Sequence, residues 1–313
     1  MQLRPFPNDS FTLAHFSDPH LSSLVGVKIR DLLNKRILGY FSWLKKRRRV
    51  HRPEVLAALL KDLKLAEPDH IVVTGDLTHL GLPSEFRQVG QWLSTLGPPE
   101  RVTLIPGNHD SYVARAWDKS CSIWAPYLRS DASQDPATAS EFFPILRVRG
   151  PIALIGLTSA RPSIPFLAVG SLGRSQLVKF EKILAQTGEL GLLRVVLIHH
   201  SPVQGTINWR KRLTDSAAFA EVLARQGAEL VLHGHAHYPI QSELETPAGK
   251  VPVIGTPSAS ALDRRPERLA RYHLYRFERL AKGWSITLSV RSFSFKQHCF
   301  IADEEICLPL ATG

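Results

Sequence analysis

Several short apolar runs of this 313-residue chain end in Asp, Asn or His residues, and this arrangement constrains the fold more than any other feature. Runs of this length that are rich in β-branched residues and stop at Gly or Pro are typical of buried strands. We therefore expect polar side chains just past the carboxyl ends of strands, where open α/β sheets bind ligands. The runs are residues 11–16, 71–74, 102–105, 195–198 and 230–232, followed in turn by Asp18 and His20, by Asp76, by Asn108, His109 and Asp110, by His199 and His200, and by His235 and His237.

Segments with a helical spacing of apolar residues lie between some of these runs, so an α/β fold is predicted. These segments are residues 53–65, 86–96, 176–185 and 217–225. Residues 271–278 and 284–293 instead alternate in polarity around a short turn, which predicts a late antiparallel hairpin. The fold class is therefore α/β with an α+β component.

No internal repeat or low-complexity linker divides the chain, so residues 1–313 are predicted to form a single domain. Two segments interrupt the regular pattern. Residues 25–52 form a basic, amphipathic insertion, and residues 111–144, rich in Ser, Ala, Asp and Pro, form an irregular insertion that we expect near the site.

The composition argues against several classes of protein. There are three cysteines and no Cys-x-x-Cys pair, which disfavours a disulfide framework or a cysteine zinc site and favours a reducing compartment. No apolar run approaches the roughly 20 residues of a membrane-spanning helix, and the first ten residues lack the apolar region of a signal peptide. We expect a cytoplasmic protein, with peripheral attachment to the inner face of a membrane as an open alternative.

The polar residues at the ends of the runs are ligand types for divalent cations. Asp18 and His20 are two residues apart, as are His235 and His237, and side chains at that spacing share one face of an extended chain. Carboxylate, imidazole and amide oxygen suit Mn²⁺, Fe or Zn²⁺. Seven such ligands are too many for one ion, so we predict two divalent metal ions that share a carboxylate, with Asp76 as the bridge.

In this order the motifs resemble those of the calcineurin-like metallophosphoesterases, and all five are present between residues 18 and 237. They are Asp18-x-His20, Gly75-Asp76, Gly107-Asn108-His109-Asp110, His199 and Gly234-His235-x-His237. The resemblance implies a four-layer α-β-β-α sandwich that hydrolyses a phosphate ester. It implies a first metal held by Asp18, His20, Asp76 and His237, and a second metal held by Asp76, Asn108, His199 and His235.

The resemblance also assigns a catalytic role to His109, which would stand beside the phosphate without binding a metal. Two cations of this kind activate water and offset phosphoryl charge. His109 would stabilise the transition state or donate a proton to the leaving oxygen, and Asp110 would orient His109.

Further histidines allow weaker predictions. His79 is predicted to contact substrate, with a surface position as an equal alternative. His200 adjoins His199, and since adjacent strand residues face opposite ways, we favour a buried supporting position over ligation, with substrate contact as a further possibility. The histidines without a motif are interpreted as structural; they are His15, His51, His70, His233, His273 and His298.

Residues 28–52 carry most of the net charge of +11. They hold ten basic residues and one acid, a charge of +9, while the rest of the chain holds 29 basic and 27 acidic residues. Apolar residues recur at helical spacing in the same segment. We weighed an amphipathic helix packed on the body, an interfacial helix on anionic lipid, and nucleic-acid binding, which is the weakest of the three. The membrane hypothesis assigns lipid contact to Lys45, Lys46, Arg47, Arg48 and Arg49.

Two substrate classes compete. Gly75-Asp76-Leu77-Thr78, followed by Gly81 and Glu85-Phe86, resembles bacterial cyclic-nucleotide phosphodiesterases of this superfamily. The basic insertion is instead similar to membrane-associated relatives that act on a lipid-linked pyrophosphate, such as UDP-diacylglucosamine pyrophosphatases. The best-known form of those enzymes has Arg at the position of His109, so the resemblance is to a calcineurin-like form that keeps His. We lean slightly to the lipid substrate.

Other functional classes fit the sequence less well. It lacks the Gly-x-Ser-x-Gly elbow of serine hydrolases and the Gly-Lys-Ser/Thr loop of P-loop NTPases. A non-catalytic membrane or nucleic-acid binding module would be expected to lose ligands, yet every ligand position is filled. A nearly neutral body offers little surface for tracking nucleic acid. The sequence carries no signal for an oligomeric state.

Overall fold

Two mixed sheets form the centre of the protein in the computed structural model, which describes residues 10–21, 23–24, 27–113, 121–131, 142–281 and 283–309. The strands are β1 (Ser10–Phe16), β2 (His70–Val73), β3 (Val102–Leu104), β4 (Ile145–Arg149), β5 (Ile152–Gly156), β6 (Leu193–Leu197), β7 (Leu230–His233), β8 (Ile240–Thr246), β9 (Gly249–Gly255), β10 (Arg271–Arg279), β11 (Trp284–Ser294) and β12 (Cys299–Leu308). The first sheet has the order β12-β11-β10-β1-β2-β3, and the second has the order β4-β5-β6-β7-β9-β8.

Helices flank both sheets. They are α1 (Arg36–Ser42), α2 (Arg48–Val50), α3 (Pro53–Ala66), α4 (Pro83–Leu96), α5 (Ala125–Leu128), α6 (Arg174–Glu189) and α7 (Ser216–Gln226). A π-helical turn, Trp43–Arg47, joins α1 to α2. Short 3-10 turns occupy Ile29–Leu32, Pro99–Arg101, Cys121–Trp124, Trp209–Lys211 and Pro266–Arg268.

The core between the sheets follows from the two-residue period of the strands. In β5, Leu154 belongs to the large central cluster shared with the first sheet, whereas Ile155 belongs to a second cluster with α6 and α7. β6 divides in the same way, with Val195 facing the centre and Val196 facing those helices. Apolar residues of α3 and α4 join the central cluster from the side of the first sheet. The predicted four-layer α-β-β-α sandwich is confirmed.

The five apolar runs all form buried strands, namely β1, β2, β3, β6 and β7. The four predicted helices correspond to α3, α4, α6 and α7, each within a few residues of its predicted bounds. The predicted late hairpin is β10 paired with β11 in antiparallel register. Both sheets gain further strands that the sequence analysis did not single out. β8 and β12 hold few buried residues, whereas β5 is buried throughout.

Within residues 28–52, the described chain packs on the body of the protein and forms a small core of its own. Trp43 is buried in a cluster with Leu32, Leu80 and Leu82. The guanidinium of Arg36 donates to the carbonyl oxygens of Leu80 at 2.9 Å and Gly81 at 2.6 Å. Among the residues that the structure describes, no helix has the length and apolarity to cross a bilayer.

The predicted irregular insertion at residues 111–144 is described only over 111–113, 121–131 and 142–144, and the remainder of that prediction lies outside the described residues. The described part is more ordered than its composition suggests. Trp124 is fully buried beside Phe86, and its indole N–H donates to the carbonyl oxygen of Phe86 at 3.0 Å. This part of the insertion therefore belongs to the central core.

Candidate active site

Loops that directly follow β1, β2, β3, β6 and β7 carry all the candidate metal ligands. The first three of these strands belong to the first sheet and the other two to the second. The carboxyl ends of parallel strands meet at one edge of each sheet, so the loops of both sheets converge. The site therefore lies where the two sheets present these edges to each other.

Most of the ligand loops use a backbone conformation that is rare for residues other than glycine. The angle φ is 52° at Asp18, 42° at His20, 55° at Asp76, 68° at His235 and 59° at His237. The predicted extended geometry for the two i, i+2 pairs is therefore wrong. The strands end before these pairs, and left-handed turns bring the side chains together instead. Such strain persists only where the surrounding structure fixes it, and it is concentrated at functional sites.

Two groups of side chains have the spacing of metal ligands. Ligand atoms of Asp18, His20, Asp76 and His237 all lie within 4.8 Å of one another. Those of Asp76, His199 and His235 do the same, so Asp76 belongs to both groups. Asn108 Oδ1 lies 3.3 Å from Nε2 of His199, beside the second group.

Unpartnered polar atoms support the fit of these groups to cations. Nε2 of His20 is buried and accepts no hydrogen bond from the described residues, and Oδ1 of Asp18 is buried with only the ring of His237 near it, 3.1 Å away. Buried polar atoms are rarely left without a partner. A carboxylate oxygen and an imidazole nitrogen that both point into one cluster of ligands suit a divalent cation.

Backbone carbonyls orient the ligand histidines. Nδ1 of His20 lies 2.9 Å from the carbonyl oxygen of Thr78, and Nδ1 of His199 lies 2.6 Å from that of Thr74. An N–H at Nδ1 donates to each carbonyl, which leaves Nε2 as the lone-pair nitrogen directed at the cluster. In His235, Nε2 lies 3.1 Å from the carbonyl oxygen of Lys211, so Nδ1 is the nitrogen available to a metal.

Electrostatics keep the carboxylate of Asp18 ionised. Burial favours the neutral acid of Asp18, but His237, with Nε2 3.1 Å from Oδ1, holds the pKa of that carboxyl well below its usual range. Burial also opposes protonation of His199, yet the carboxylate of Asp76, 3.4 Å away, raises the pKa of His199 to about 9. The carboxylate of Asp76 thus favours a proton on His199, and a metal ion would displace that proton when it binds.

Two glycines let the loops approach each other. A Cβ added to Gly107 would overlap the carboxylate of Asp76, and one added to Gly234 would overlap Ser17 and the carboxylate of Asp18. Glycine at these positions is therefore required by close contact with the ligands.

His109 lies beside the ligand cluster. Its backbone N–H donates to Oδ1 of Asp76 at 2.7 Å, and its ring Nδ1 lies 2.6 Å from the carbonyl oxygen of His79. Nε2 is then the ring nitrogen available to a substrate. Burial, followed by the positive charge of Arg47, lowers the pKa of His109 well below its usual value.

Asp110 supports the loops, and the carbonyl of His79 takes the orienting role that we predicted for Asp110. The carboxylate of Asp110 accepts hydrogen bonds from the backbone N–H groups of Gly107 at 2.9 Å and Thr78 at 2.9 Å. It therefore joins the loop after β2 to the loop after β3. Burial and the nearby charge of Asp76 raise the pKa of Asp110 to about 7.

The other two predicted substrate contacts lie behind the ligands. His79 is buried, so the surface alternative is wrong, and its ring stacks on that of His20 with centroids 5.0 Å apart. Both ring nitrogens of His200 have partners, with Nδ1 2.7 Å from Ser159 Oγ and Nε2 3.2 Å from the carbonyl oxygen of Ala168. Its ring lies against that of His235, with centroids 4.3 Å apart, so His200 supports that candidate ligand.

Two residues of the basic segment lie at the site, and sequence reasoning missed both. The ring of His51, interpreted from the sequence as structural, forms a ligand-like group with His20 and His237. Its Nδ1 lies 2.8 Å from Ser260 Oγ. Arg47, assigned to lipid contact, instead directs Nη1 to Nε2 of His109 at 2.9 Å. No motif marks either residue, since Arg47 lies within a charge run that is typical of a solvated face and His51 follows that run.

Two adjoining cavities open at the cluster. The first, about 390 Å³, is bounded by Asp76, Asn108, His109, His235 and His237, together with residues of the basic segment. The second, about 620 Å³, shares Arg47, Asn108, His109 and Lys211 with the first. Its outer wall is largely apolar and is formed by Leu38, Tyr112, Ile164, Pro165, Phe166 and Leu167. A phosphate ester can thus reach the ligand cluster from solvent.

Residues 11–239 match the family described as calcineurin-like phosphoesterase, and the chain belongs to that family. The protein is thus a metal-dependent phosphoesterase, and a site for two metals is typical of the family.

Relatives of this chain include phosphodiesterases. It is 28% identical over 215 residues to a probable cyclic nucleotide phosphodiesterase of Synechococcus sp., covering 67% of this chain and 72% of that protein. It is 25% identical over 240 residues to a cAMP/cGMP dual specificity phosphodiesterase of Mycobacterium tuberculosis, covering 74% of this chain and 63% of that protein.

Solved structures share the fold. A dimetal phosphatase from Danio rerio superposes with a TM-score of 0.58 at 10% identity, covering 97% of this chain and 99% of that one. A purple acid phosphatase from yellow lupin seeds superposes with a TM-score of 0.57 at 12% identity, covering 95% of this chain and 53% of that one.

Proposed function

We propose that this protein hydrolyses a phosphodiester, with a cyclic nucleotide as the leading substrate class. The observation that carries the proposal is the pair of ligand groups that share Asp76 at the floor of a cavity. Two relatives with names that specify cyclic nucleotides support the substrate class. The first cavity, about 390 Å³, is of a size that suits a small ligand.

Asp18, His20, Asp76 and His237 would hold one divalent cation, and Asp76, Asn108, His199 and His235 would hold the other. Such ions supply an activated water and offset charge on the phosphoryl oxygens. Mn²⁺, Fe and Zn²⁺ all suit this set of oxygen and nitrogen ligands.

His109 has a different role, because its ring stands beside the ligand groups and its Nδ1 is held by the carbonyl of His79. Only Nε2 can therefore meet the substrate. A bound phosphate brings negative charge next to the ring, which favours the protonated form, and the ring then donates a proton from Nε2 to the leaving oxygen.

A second candidate substrate is a lipid-linked pyrophosphate of the UDP-diacylglucosamine type. The specific observation is a row of exposed apolar side chains on the basic segment, at Ile29, Leu33, Ile37 and Phe41. Ile164 and Phe166, also exposed, stand at the apolar wall of the second cavity. Acyl chains would find apolar contact there, next to the phosphate site.

A substrate panel tests the proposal. Purified protein loaded with Mn²⁺ should be assayed against cyclic AMP, UDP-diacylglucosamine in detergent micelles, and bis(p-nitrophenyl) phosphate. We expect kcat/KM for cyclic AMP to exceed that for the lipid by at least about tenfold, because discrimination follows differential binding of the transition state. The reverse order would transfer the assignment to the lipid-linked pyrophosphate. Two bound metals with no turnover of any ester would contradict the proposal.

A further inference from the structure

The charge run of the basic segment does not point uniformly to solvent. Lys45, Lys46, Arg48 and Arg49 are exposed, whereas Arg47 is only partly so and lines both cavities at the ligand cluster. Its Nη1 lies 2.9 Å from Nε2 and 3.1 Å from Nδ1 of His109. Lys46 also lines the first cavity, but Arg47 is the one residue of the five that contacts His109.

The guanidinium of Arg47 has donors to spare. Over the described parts of the chain, no carboxylate lies within 4 Å of it, and its hydrogen bonds to side chains are confined to Nη1 and His109. A guanidinium carries five N–H donors in a planar fork that matches the oxygens of a phosphate. An unpaired cation that faces a cavity at low exposure is costly unless an anion joins it.

The backbone on both sides of Arg47 is fixed. On one side, Trp43 is buried in the small core, and a Cβ added to Gly39 in α1 would lie only 2.8 Å from the hydroxyl of Tyr112. On the other side, the N–H of His51 donates to the carbonyl oxygen of Arg47 at 2.9 Å, and the carbonyl oxygen of Val50 accepts from Leu262 at 2.8 Å. The position of Arg47 is therefore set by the fold and not by a free arm.

Arg47 ends a π-helical turn. The turn Trp43–Arg47 inserts an extra residue into the helical path between α1 and α2. Such an insertion rotates the residues that follow relative to a regular α-helix, and π-turns recur at functional sites. Trp43 at the start of the turn and Arg47 at its end are four residues apart and lie on the side that faces the body of the protein. Lys45 and Lys46 between them are exposed, and Lys46 also lines the first cavity.

We propose that Arg47 is a substrate-binding residue, which contacts an oxygen of the phosphate held between His109 and the metal ligands. The segment of residues 28–52 thereby becomes part of the active site. On substrate binding, the guanidinium would exchange its contact with the His109 ring for one with a phosphoryl oxygen. This exchange makes Nε2 of His109 available to the leaving group. This inference rests on the proposed phosphodiester chemistry, but it does not depend on which of the two substrate classes is correct.

Kinetics of charge-neutral variants test the inference. Arg47→Gln should lower kcat/KM for bis(p-nitrophenyl) phosphate by about 10²–10³-fold, the range for loss of one donor to a developing oxyanion. Arg47→Lys keeps the charge without the planar fork and should recover part of the loss. The matched control is Arg48→Gln, since Arg48 is the exposed neighbour and lines neither cavity. It should stay within about threefold of the wild type.

Two further measurements separate substrate binding from folding and from the proposed activity. Metal content and Tm of Arg47→Gln should match those of the wild type, and the affinity of the Mn²⁺-loaded protein for inorganic phosphate should fall at least about tenfold. Unchanged kinetics and phosphate affinity would overturn the inference. Loss of metal or of thermal stability in parallel with activity would overturn it in favour of a structural role. Phosphate binding tests the role of Arg47 even if the wild type hydrolyses no ester in the panel. A failure of the inference about Arg47 can therefore be told apart from a failure of the proposed activity.

Discussion

Five of the candidate ligands hold a left-handed backbone, at a cost of order 1–3 kcal/mol each. The fold sustains this strain through close contacts that only glycine permits, such as the approach of Gly107 to Asp76 and of Gly234 to Asp18. The carboxylate of Asp76 accepts the backbone N–H of His109 through Oδ1 and faces Nε2 of His199 through Oδ2. One residue therefore connects both ligand groups to the reaction centre.

Substitution of Asp76 should affect both metals. Asp76→Asn removes the shared negative charge, so we expect loss of both ions after dialysis, whereas His20→Ala removes a ligand from one group only and should leave about one ion per chain. Elemental analysis of the dialysed proteins checks this, with about two ions expected in the wild type. Equal metal content in the two variants would contradict the bridging position of Asp76.

Substitution of His109 should lower the rate of hydrolysis without changing the metal content. Because its ring lies outside both ligand groups, His109→Ala should retain the metals and lose about 10²–10⁴-fold in kcat, the range for a positioned acid. The loss should shrink for esters with good leaving groups, which need no proton from Nε2. The measurement is kcat for a series of aryl phosphodiesters, and a loss independent of the leaving group would rule out proton donation.

The strands carry a second set of histidines that are buried away from the ligands. His273 of β10 pairs in register with His15 of β1, and its Nδ1 lies 3.2 Å from the hydroxyl of Tyr275. Burial, followed by the charge of Arg271, lowers the pKa of His273 to about 3. The folded sheet therefore holds a neutral imidazole that the unfolded chain would protonate below its ordinary pKa of about 6.5.

The stability contributed by neutral burial of His273 should fall as the pH falls. Between about pH 6.5 and 3 the unfolded chain binds a proton that the folded protein excludes, so the free energy of unfolding decreases by about 1.4 kcal/mol per pH unit for this group. His273→Asn abolishes that titration. Urea unfolding of both metal-free proteins at pH 6.5 and 4.5 should therefore show a wild-type loss about 2.3 kcal/mol greater than the variant loss, since at pH 6.5 the unfolded chain already holds about half a proton at this residue. If the free energy of unfolding changed equally with pH in the wild type and the variant, His273 would have the same pKa in the folded and unfolded protein.

At the scale of elements, periodicity predicted the strands that carry ligands but not the conformation of the loops. In β6, burial of residues 195–197 produces an apolar run that is visible in the sequence. β12 instead contains three consecutive exposed acids, Asp303, Glu304 and Glu305, and shows no such run. The left-handed turn at His20 depends on a hydrogen bond from its N–H to the carbonyl oxygen of Asp76, 56 positions along the chain. A local sequence pattern cannot predict contacts between residues so far apart in the chain.

The inward direction of Arg47 could not be predicted for the same reason. Its sequence neighbours are all basic, which favours a solvated helical face. Its actual direction follows from the docking of Trp43, four residues earlier on the same side of the helical path, against Leu80 and Leu82. The ligand residues were predictable because five motifs fix their identity, while Arg47 and His51 are defined only by tertiary contacts.

At the scale of the whole molecule, most of the net charge lies in one segment beside the site. Residues 28–52 carry +9 of the net +11, and the same segment exposes Ile29, Leu33, Ile37 and Phe41. Ile29 and Leu33 are 81% and 77% exposed. An exposed apolar row beside a cluster of basic residues complements an anionic lipid surface, which attracts each Lys or Arg with about 1 kcal/mol. We therefore keep the membrane proposal for the outward residues and exclude Arg47 from it.

Co-sedimentation with liposomes tests this proposal. The variant Lys45→Gln/Arg48→Gln/Arg49→Gln removes three outward charges and leaves Arg47 in place, so vesicle binding should weaken by about 3 kcal/mol, or roughly 100-fold. The control Arg174→Gln/Lys179→Gln/Lys182→Gln removes three exposed charges from α6, on a different element, and should bind as the wild type does. Binding should require anionic lipid and decline with salt, because screening shortens the reach of the charges. If the wild type stays in the supernatant at low salt, the exposed apolar row does not meet a bilayer, and the second candidate substrate loses the observation that favours it.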